Sequence, residues 1–261
     1  MAEEIDTSKP SIARVYDAVL GGKDNYEVDR VVAEGVKQTV PHIGDVGWFN
    51  RAVLGRAVSH LASEVGIKQF IDLGAGLPTL ENTHHVAQRV NPDARVVYVD
   101  NDPIVLAHGR ALLEENANTG VSNADLRDPQ TVLQEPAVKR LINFDEPVGM
   151  LLVGILHHLH DDEDPKGIVD EYMSHVPPGS HLVITAFCDT GPEARAVEQT
   201  MLHLLGTGRF RTTEEITAYF DGYELLEPGV VSLPLWRPTE PVEEPLNVAQ
   251  RLMAGGVARK R

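Results

Sequence analysis

The 261-residue chain carries a single cysteine, Cys188. A disulfide within the chain is excluded, a cysteine-built zinc site is disfavoured, and a reducing compartment suits both. Its setting, the mostly apolar HLVITAFCD, marks Cys188 as a small core residue at a strand end. Long apolar runs are missing too, since none approaches the ~20 residues that span a bilayer. The first ten residues, MAEEIDTSKP, have neither the basic nor the apolar region of a secretory leader. The expectation is a cytoplasmic protein with no membrane partner. Positive charge is also scarce. Lys and Arg number 23 against 39 Asp and Glu, a net charge of −16. Such a chain repels the phosphates of DNA and RNA, and the short basic end Arg259-Lys260-Arg261 does not reverse that.

The first third of the sequence reads as helical. Residues 1–10 are expected as a disordered tail. Ser11 caps a helix whose apolar face is Ile12, Val15, Tyr16, Val19 and Leu20, and Gly21-Gly22 stops it. Asp24 or Asn25 caps a second helix running to about Val40, Pro41–Gly47 is a turn-rich break, and Trp48–Val65 is a third helix ending at Gly66. From Lys68 strands alternate with helices. Strands are expected at Gln69–Leu73, Ala94–Asp100, Val121–Ala124, Pro147–Leu156 and His181–Phe187. Helices are expected at Glu81–Val90, Pro103–Asn116, Pro129–Ile142, Pro165–Val176, Pro192–Leu205 and Thr213–Phe220. The stretch YELLEPGVVSLPLW reads as a closing β-hairpin around Pro228-Gly229. The alternation predicts an α/β, Rossmann-like parallel sheet with helices on both faces, and a ligand at the carboxyl ends of its strands. One integrated domain is expected, with residues 11–66 as a helical segment over a core of residues 67–261.

The residues just after each strand therefore matter most. FIDLGAGLPT places Gly74 and Gly76 in a tight turn, with Ala75 between them. The third glycine of a dinucleotide fingerprint is missing. Pro78 and Thr79 stand there instead, with Thr79 a possible helix cap, and no P-loop pattern occurs. Asp72, two residues before the first glycine, repels a pyrophosphate and attracts an ammonium or sulfonium. That favours S-adenosylmethionine over NAD. Asp100, followed by Asn101, can accept hydrogen bonds from both ribose hydroxyls, as in NAD enzymes. Asp125 can accept from an adenine amino group while Leu126 offers a backbone N–H. Each acid alone is most simply a solvated loop residue. Three acids at three successive strand ends are better read as one adenosine site.

These residues carry a resemblance. D-x-G-x-G at Asp72–Gly76, Y-V-D at Tyr98–Asp100 and A-D-L at Ala124–Leu126 resemble the class I S-adenosylmethionine-dependent methyltransferases. The segments PSIARVYDAVLGGKDNYEVDR, QFIDLGAGLPT, VYVDNDPIVLAHGRALL, ADLRDP and LLVGILHHL are closer still to an actinobacterial branch, the S-adenosyl methyltransferases once classed as a domain of unknown function. The resemblance runs from about Pro10 to the last strand. It implies a seven-stranded sheet with the cofactor over Gly74–Gly76, Asp100 on the ribose, Asp125 and Leu126 at the adenine, and the N-terminal block folded over the cofactor. It does not name the methyl acceptor.

In that N-terminal block, Lys23 can pair with the cofactor's carboxylate, Asn25 can hydrogen-bond beside it, and Tyr16 or Tyr26 can shield the sulfonium. A surface lysine and core tyrosines are the plain alternative, and Asp17 and Asp24 are read as structural. ILHHLHDDEDP gathers histidines and acids at the mouth of the central strand, but too crowded for a metal site. His157 or His158 is placed to act as a general base, against an equally simple reading as a backbone-bonded histidine. His84 and His85 line the cofactor pocket or lie at the surface. No N-P-P-Y type motif follows the central strand, which argues against methylation of DNA bases. The expected function is S-adenosylmethionine-dependent methyl transfer to a small-molecule acceptor. A non-catalytic cofactor-binding module and an NAD-dependent oxidoreductase are the alternatives.

Overall fold

In the computed structural model the described residues are 5–40, 42–78, 81–112 and 116–261. Residues 1–4 of the expected tail and the Thr79 cap lie outside them. The chain opens with three helices, α1 (Ile12–Val19), α2 (Glu27–Thr39) and α3 (Ile43–His60). Ser11 caps α1 by accepting from the Arg14 N–H. The cap of α2 is not Asp24 or Asn25 but Tyr26, whose N–H donates to Asp29 Oδ2 at 2.8 Å. Asp24 and Asn25 instead donate to the Asp17 carboxylate.

Helix α3 begins well before Trp48, inside the expected break. Gly47 is there for contact rather than for a turn, because a Cβ on it would meet the Leu20 side chain at 2.6 Å. After a π-helical turn at Leu61–Val65 the helix ends at Gly66, at φ 83°.

The sheet then alternates with helices: β1 (Gln69–Leu73), α4 (Thr83–Val90), β2 (Arg95–Asp100), α5 (Pro103–Leu112), β3 (Thr119–Asn123), α6 (Pro129–Gln134), α7 (Pro136–Leu141), β4 (Gly149–Val153), α8 (Pro165–Ser174), β5 (His181–Phe187), α9 (Pro192–Leu205) and α10 (Thr213–Ala218). Pro136, which lacks an N–H, splits the helix expected over Pro129–Ile142 in two.

The last elements depart from the hairpin expectation. Two-residue strands β6 (Glu224–Leu225) and β7 (Val231–Ser232) do not pair with each other. Both pair antiparallel with β8 (Met253–Arg259), which follows the short helix α11 (Val248–Arg251). Strand β8 was hidden in sequence by its glycines. A Cβ on Gly255 would lie 2.5 Å from the Ile184 carbonyl, so glycine there permits close approach to β5.

The described sheet thus has eight strands rather than seven, in the order β3-β2-β1-β4-β5-β8-β6, with β7 also on β8. Strands β1 to β5 are parallel, and β8 runs antiparallel to β5. Alternation buries both faces. Phe70, Tyr98, Leu151 and Val183 pack under α3, α4 and α9. Ile71, Val97, Met150 and Ile184 pack under α6, α7 and α8. Cys188 is buried beside Ala186, Ile216 and Ala254, as a core residue. No helix among the described residues is long and apolar enough to cross a membrane. Strand order reverses between β1 and β4, which is where a parallel α/β sheet opens a crevice.

Candidate functional site

A cavity of about 650 Å³ lies at that reversal, within the size range of small-molecule sites. One half is built from the ends of β1, β2 and β3, the other from the ends of β4, β5 and β8, and α1 to α3 cover both.

In the first half, Gly74 and Gly76 hold φ of 72° and 66°, which only glycine adopts cheaply. The Gly74 and Ala75 N–H groups donate to the Val99 carbonyl, and the Gly76 N–H donates to Asp100 Oδ2 at 2.9 Å. Helix α4 starts only at Thr83. The turn therefore spends these N–H groups inside the protein and offers no adjacent helix N-terminus to a pyrophosphate.

Asp72 is 5% exposed and lines the cavity. Its Oδ2 accepts from Thr83 Oγ1 at 2.7 Å. Burial raises its pKa, against the opposing pull of the Thr83 bond and the Arg51 charge. Asp100 accepts on both oxygens, from Gly76 and from the Asp102 N–H at 2.9 Å, yet burial still lifts it to about 6. Asp125 is bound by Arg127, which also pairs with Glu163, and the Arg127 hydrogen bond holds its carboxyl below the usual range. Asn101 Nδ2 reaches Asp125 Oδ2 at 3.3 Å. The Leu126 carbonyl is fixed by Tyr172 Oη at 2.8 Å. Asp72, Gly74, Ala75, Gly76, Asp100, Asn101, Asp125 and Leu126 are thus brought to one cavity.

The N-terminal block contributes differently from the expectation. Tyr16 lines the cavity, with its hydroxyl donating to the Gly47 carbonyl at 3.1 Å. Lys23 is exposed and does not line it. Asn25 also lies outside, donating to Asp17 and the Gly22 carbonyl. Tyr26 sits under the Arg14 guanidinium, 5.2 Å from the ring centre, also outside the lining. His84 is buried against the Tyr98 hydroxyl at 2.8 Å, and neither it nor His85 lines the cavity.

Arg14, Asn50 and Arg51 are among the lining residues not singled out in sequence. Arg14 forms a buried pair with Asp29 at 2.9 Å and donates to the Asp6 and Lys9 carbonyls, fastening the N-terminal segment over the cavity. Asn50 accepts from Thr185 Oγ1 at 2.6 Å. Arg51 donates to the Leu77 carbonyl at 3.3 Å and forms no salt bridge among the described residues. Gly47, Asn50, Arg51 and Leu54 recur at i, i+3, i+4 and i+7, so one face of α3 lines the cavity. That spacing was the available signal, masked by ending the break at Gly47.

In the second half, His157 and His158 lie in a 3₁₀ turn just after β4. Both line the cavity. His158 Nδ1 meets Thr207 Oγ1 at 2.7 Å, whereas His157 Nδ1 is enclosed with no hydrogen-bond partner among the described residues. Burial pushes His158 down to about 3 and holds His157 well below its ordinary value, so in both the charged ring is disfavoured. No group of three or more His, Cys, Asp or Glu among the described residues is arranged to hold a metal ion.

Comparison with known proteins gives the family and the fold. A family model described as S-adenosyl methyltransferase matches residues 1–261. A candidate methyltransferase from Thermobifida fusca YX is 50% identical, with a TM-score of 0.95 over 98% of this chain and 97% of that one. A DUF574 family protein from Streptomyces avermitilis MA-4680 is 36% identical, with a TM-score of 0.94 over 99% and 100%. The N-methyltransferase NodS of Bradyrhizobium japonicum WM9, in complex with S-adenosyl-L-homocysteine, shares the fold at 13% identity and a TM-score of 0.52, over 95% and 98%. No match was found among curated proteins.

Proposed function

The chain belongs to the S-adenosyl methyltransferase family, and from that premise we propose that the cavity holds S-adenosylmethionine over the β1–β3 half and a small-molecule methyl acceptor over the β4–β8 half. The protein is an S-adenosylmethionine-dependent methyltransferase. The observation that carries the cofactor placement is the pairing of Asp72 with the glycine turn. A buried carboxylate stands at the strand mouth, and the Gly74, Ala75 and Gly76 N–H groups are already spent. Such a mouth repels a pyrophosphate and accepts a cation, and the cofactor brings an ammonium and a sulfonium there.

The remaining roles follow from position. Asp100 takes the ribose hydroxyls. Asp125, already held by Arg127 and Asn101, stands with Leu126 beside the adenine. Arg51 lines the cavity close enough for its charge to act on Asp72 and forms no salt bridge among the described residues, so it takes the carboxylate role expected of Lys23. Tyr16 closes the site from α1. When bound, the cofactor supplies an electrophilic methyl group on sulfur. Its leaving group is neutral, so the chain contributes alignment and exclusion of water more than acid–base chemistry. A cytoplasmic setting suits the buried Cys188 thiol.

Calorimetric titration with S-adenosylmethionine, S-adenosylhomocysteine and NAD tests the reading. Micromolar binding of the first two with NAD silent is expected. Binding of NAD alone overturns the role given to Asp72.

A further inference from the structure

The two halves of the cavity differ in kind. Its charged lining residues come from the N-terminal segment, from Arg14 and Arg51 on the covering helices, and from the ends of β1, β2 and β3. Strands β4, β5 and β8 and helix α9 contribute none. They contribute Val153, Phe187, Met201, Leu205 and Met253, facing Val36 of α2. A carboxylate or ammonium seated there would be desolvated without a counter-ion. The two histidines are poorly suited to supply one, because burial disfavours the charged form of both rings.

One polar group in this half is unspent. His157 is 2% exposed, lines the cavity, and its ring makes no hydrogen bond among the described residues; Nδ1 is enclosed, which leaves Nε2 as the atom a ligand can reach, whereas His158 is engaged by Thr207. Its ring is held rigidly. Phe187 meets it edge-on at 4.7 Å and is itself stacked on Phe210 at 4.5 Å. The backbone carrying it is pinned from the other side. Arg209 N–H donates to the His157 carbonyl, and Arg211 donates to the Leu156 and Leu159 carbonyls. A ring held this firmly at the cavity wall offers Nε2 to a ligand hydroxyl without rearrangement.

We propose that this half takes an uncharged aromatic acceptor bearing a hydroxyl, seated against Phe187, Met201 and Met253, with the hydroxyl hydrogen-bonded to His157. The assignment rests on the cofactor placement above. In the transfer, the hydroxyl oxygen attacks the sulfonium methyl carbon. A C–O bond forms as the S–C bond breaks, and the electron pair stays on sulfur, leaving neutral S-adenosylhomocysteine. The hydroxyl proton passes to the His157 ring and then to solvent. A phenol-like hydroxyl, which loses its proton near pH 10, gives that proton up to an imidazole far more readily than an aliphatic alcohol does.

The test titrates 2-naphthol, 2-naphthoate and 2-naphthylmethylammonium into the protein saturated with S-adenosylhomocysteine, and follows methyl ether formation from 2-naphthol with S-adenosylmethionine. The expected result is 2-naphthol binding at least tenfold tighter than either charged analogue, with 2-methoxynaphthalene as product. His157→Ala and His157→Gln should each lose at least tenfold in 2-naphthol affinity, with S-adenosylhomocysteine binding by the same samples reporting that the cofactor half is intact. S-adenosylhomocysteine binding without preference for 2-naphthol, or with a charged analogue preferred, overturns this assignment alone. Absence of S-adenosylhomocysteine binding overturns the cofactor placement, and this assignment with it.

Discussion

The Gly76 N–H donates to Asp100 Oδ2 at 2.9 Å, so a turn 24 residues earlier in the chain orients the carboxylate that ends β2. The same bond fixes the turn over which the cofactor is placed. On the proposed placement, replacing Asp100 by Ala removes two charge-assisted hydrogen bonds to the ribose, and it loosens the turn. S-adenosylhomocysteine affinity should fall by about 2–3 kcal/mol, roughly 30- to 150-fold. Unchanged affinity by calorimetry removes Asp100 from the ribose.

The raised pKa of Asp100, about 6 against an ordinary 3.8, gives binding and stability opposite signs. Ribose hydroxyls donate to the ionised carboxylate, so affinity should weaken as pH falls below about 6, and binding near pH 6 should release protons. Folding behaves inversely. The folded state holds the proton more tightly than the unfolded chain, so the stabilisation is full below the unfolded value and is lost as pH rises through about 6. Asp100→Asn should therefore lose that pH dependence of stability while weakening binding. Urea denaturation and calorimetry of the same samples check both, and taking the difference from wild type cancels the titration of the two buried histidines.

Gly74 and Gly76 share a positive φ but not a neighbourhood. A Cβ on Gly74 would meet Ile155 Cγ1 at 2.5 Å, whereas one on Gly76 would meet nothing within 4 Å. Gly76→Ala should cost only the backbone strain, about 1–2 kcal/mol. Gly74→Ala should cost more, because Ile155 and the turn bearing His157 must move. Equal losses in denaturation midpoint would show that the Ile155 contact does not matter.

Arg14 and Asp29 have side chains only 3% and 0% exposed, and Asp29 also accepts the Ser11 and Tyr26 N–H groups. Removing one partner strands a buried charge, a loss of about 3–5 kcal/mol. Arg14→Ala should release the segment over the cavity. Hydrogen exchange across residues 5–19 should rise and cofactor affinity fall, while exchange in β1 and β4 stays slow. Unaltered exchange across residues 5–19 would contradict the fastening role.

Arg51→Ala should lower S-adenosylhomocysteine affinity about tenfold and leave that of 5′-methylthioadenosine, which lacks the amino-acid end, unaltered. Lys23→Ala should alter neither. The reverse pattern returns the carboxylate to Lys23.

Much of the adenosine half was legible because its signals are local. A strand, a glycine turn and an acid at the strand end are written in consecutive residues, and the limits of β1, β5 and α9 coincide with those read from periodicity. The glycine pair, Asp100 and Asp125 needed only a parallel sheet to bring them together. The covering segment was less legible. Gly47 looks like a turn residue in sequence and acts in α3 as a contact surface for Leu20.

Sequence by itself determined the fold class and which strand ends meet at one cavity, since these depend on spacing within single elements. The tertiary structure alone decided which cations line the cavity, which of its histidines meets Thr207, and which strand completes the sheet. Those depend on pairings between residues far apart in the chain. Arg56 reaches the Trp236 carbonyl 180 residues on, Asn50 meets Thr185 135 residues on, and β8 inserts beside β5. No local period encodes such meetings, because the free energy that selects them comes from burying whole faces of helices and sheet against each other.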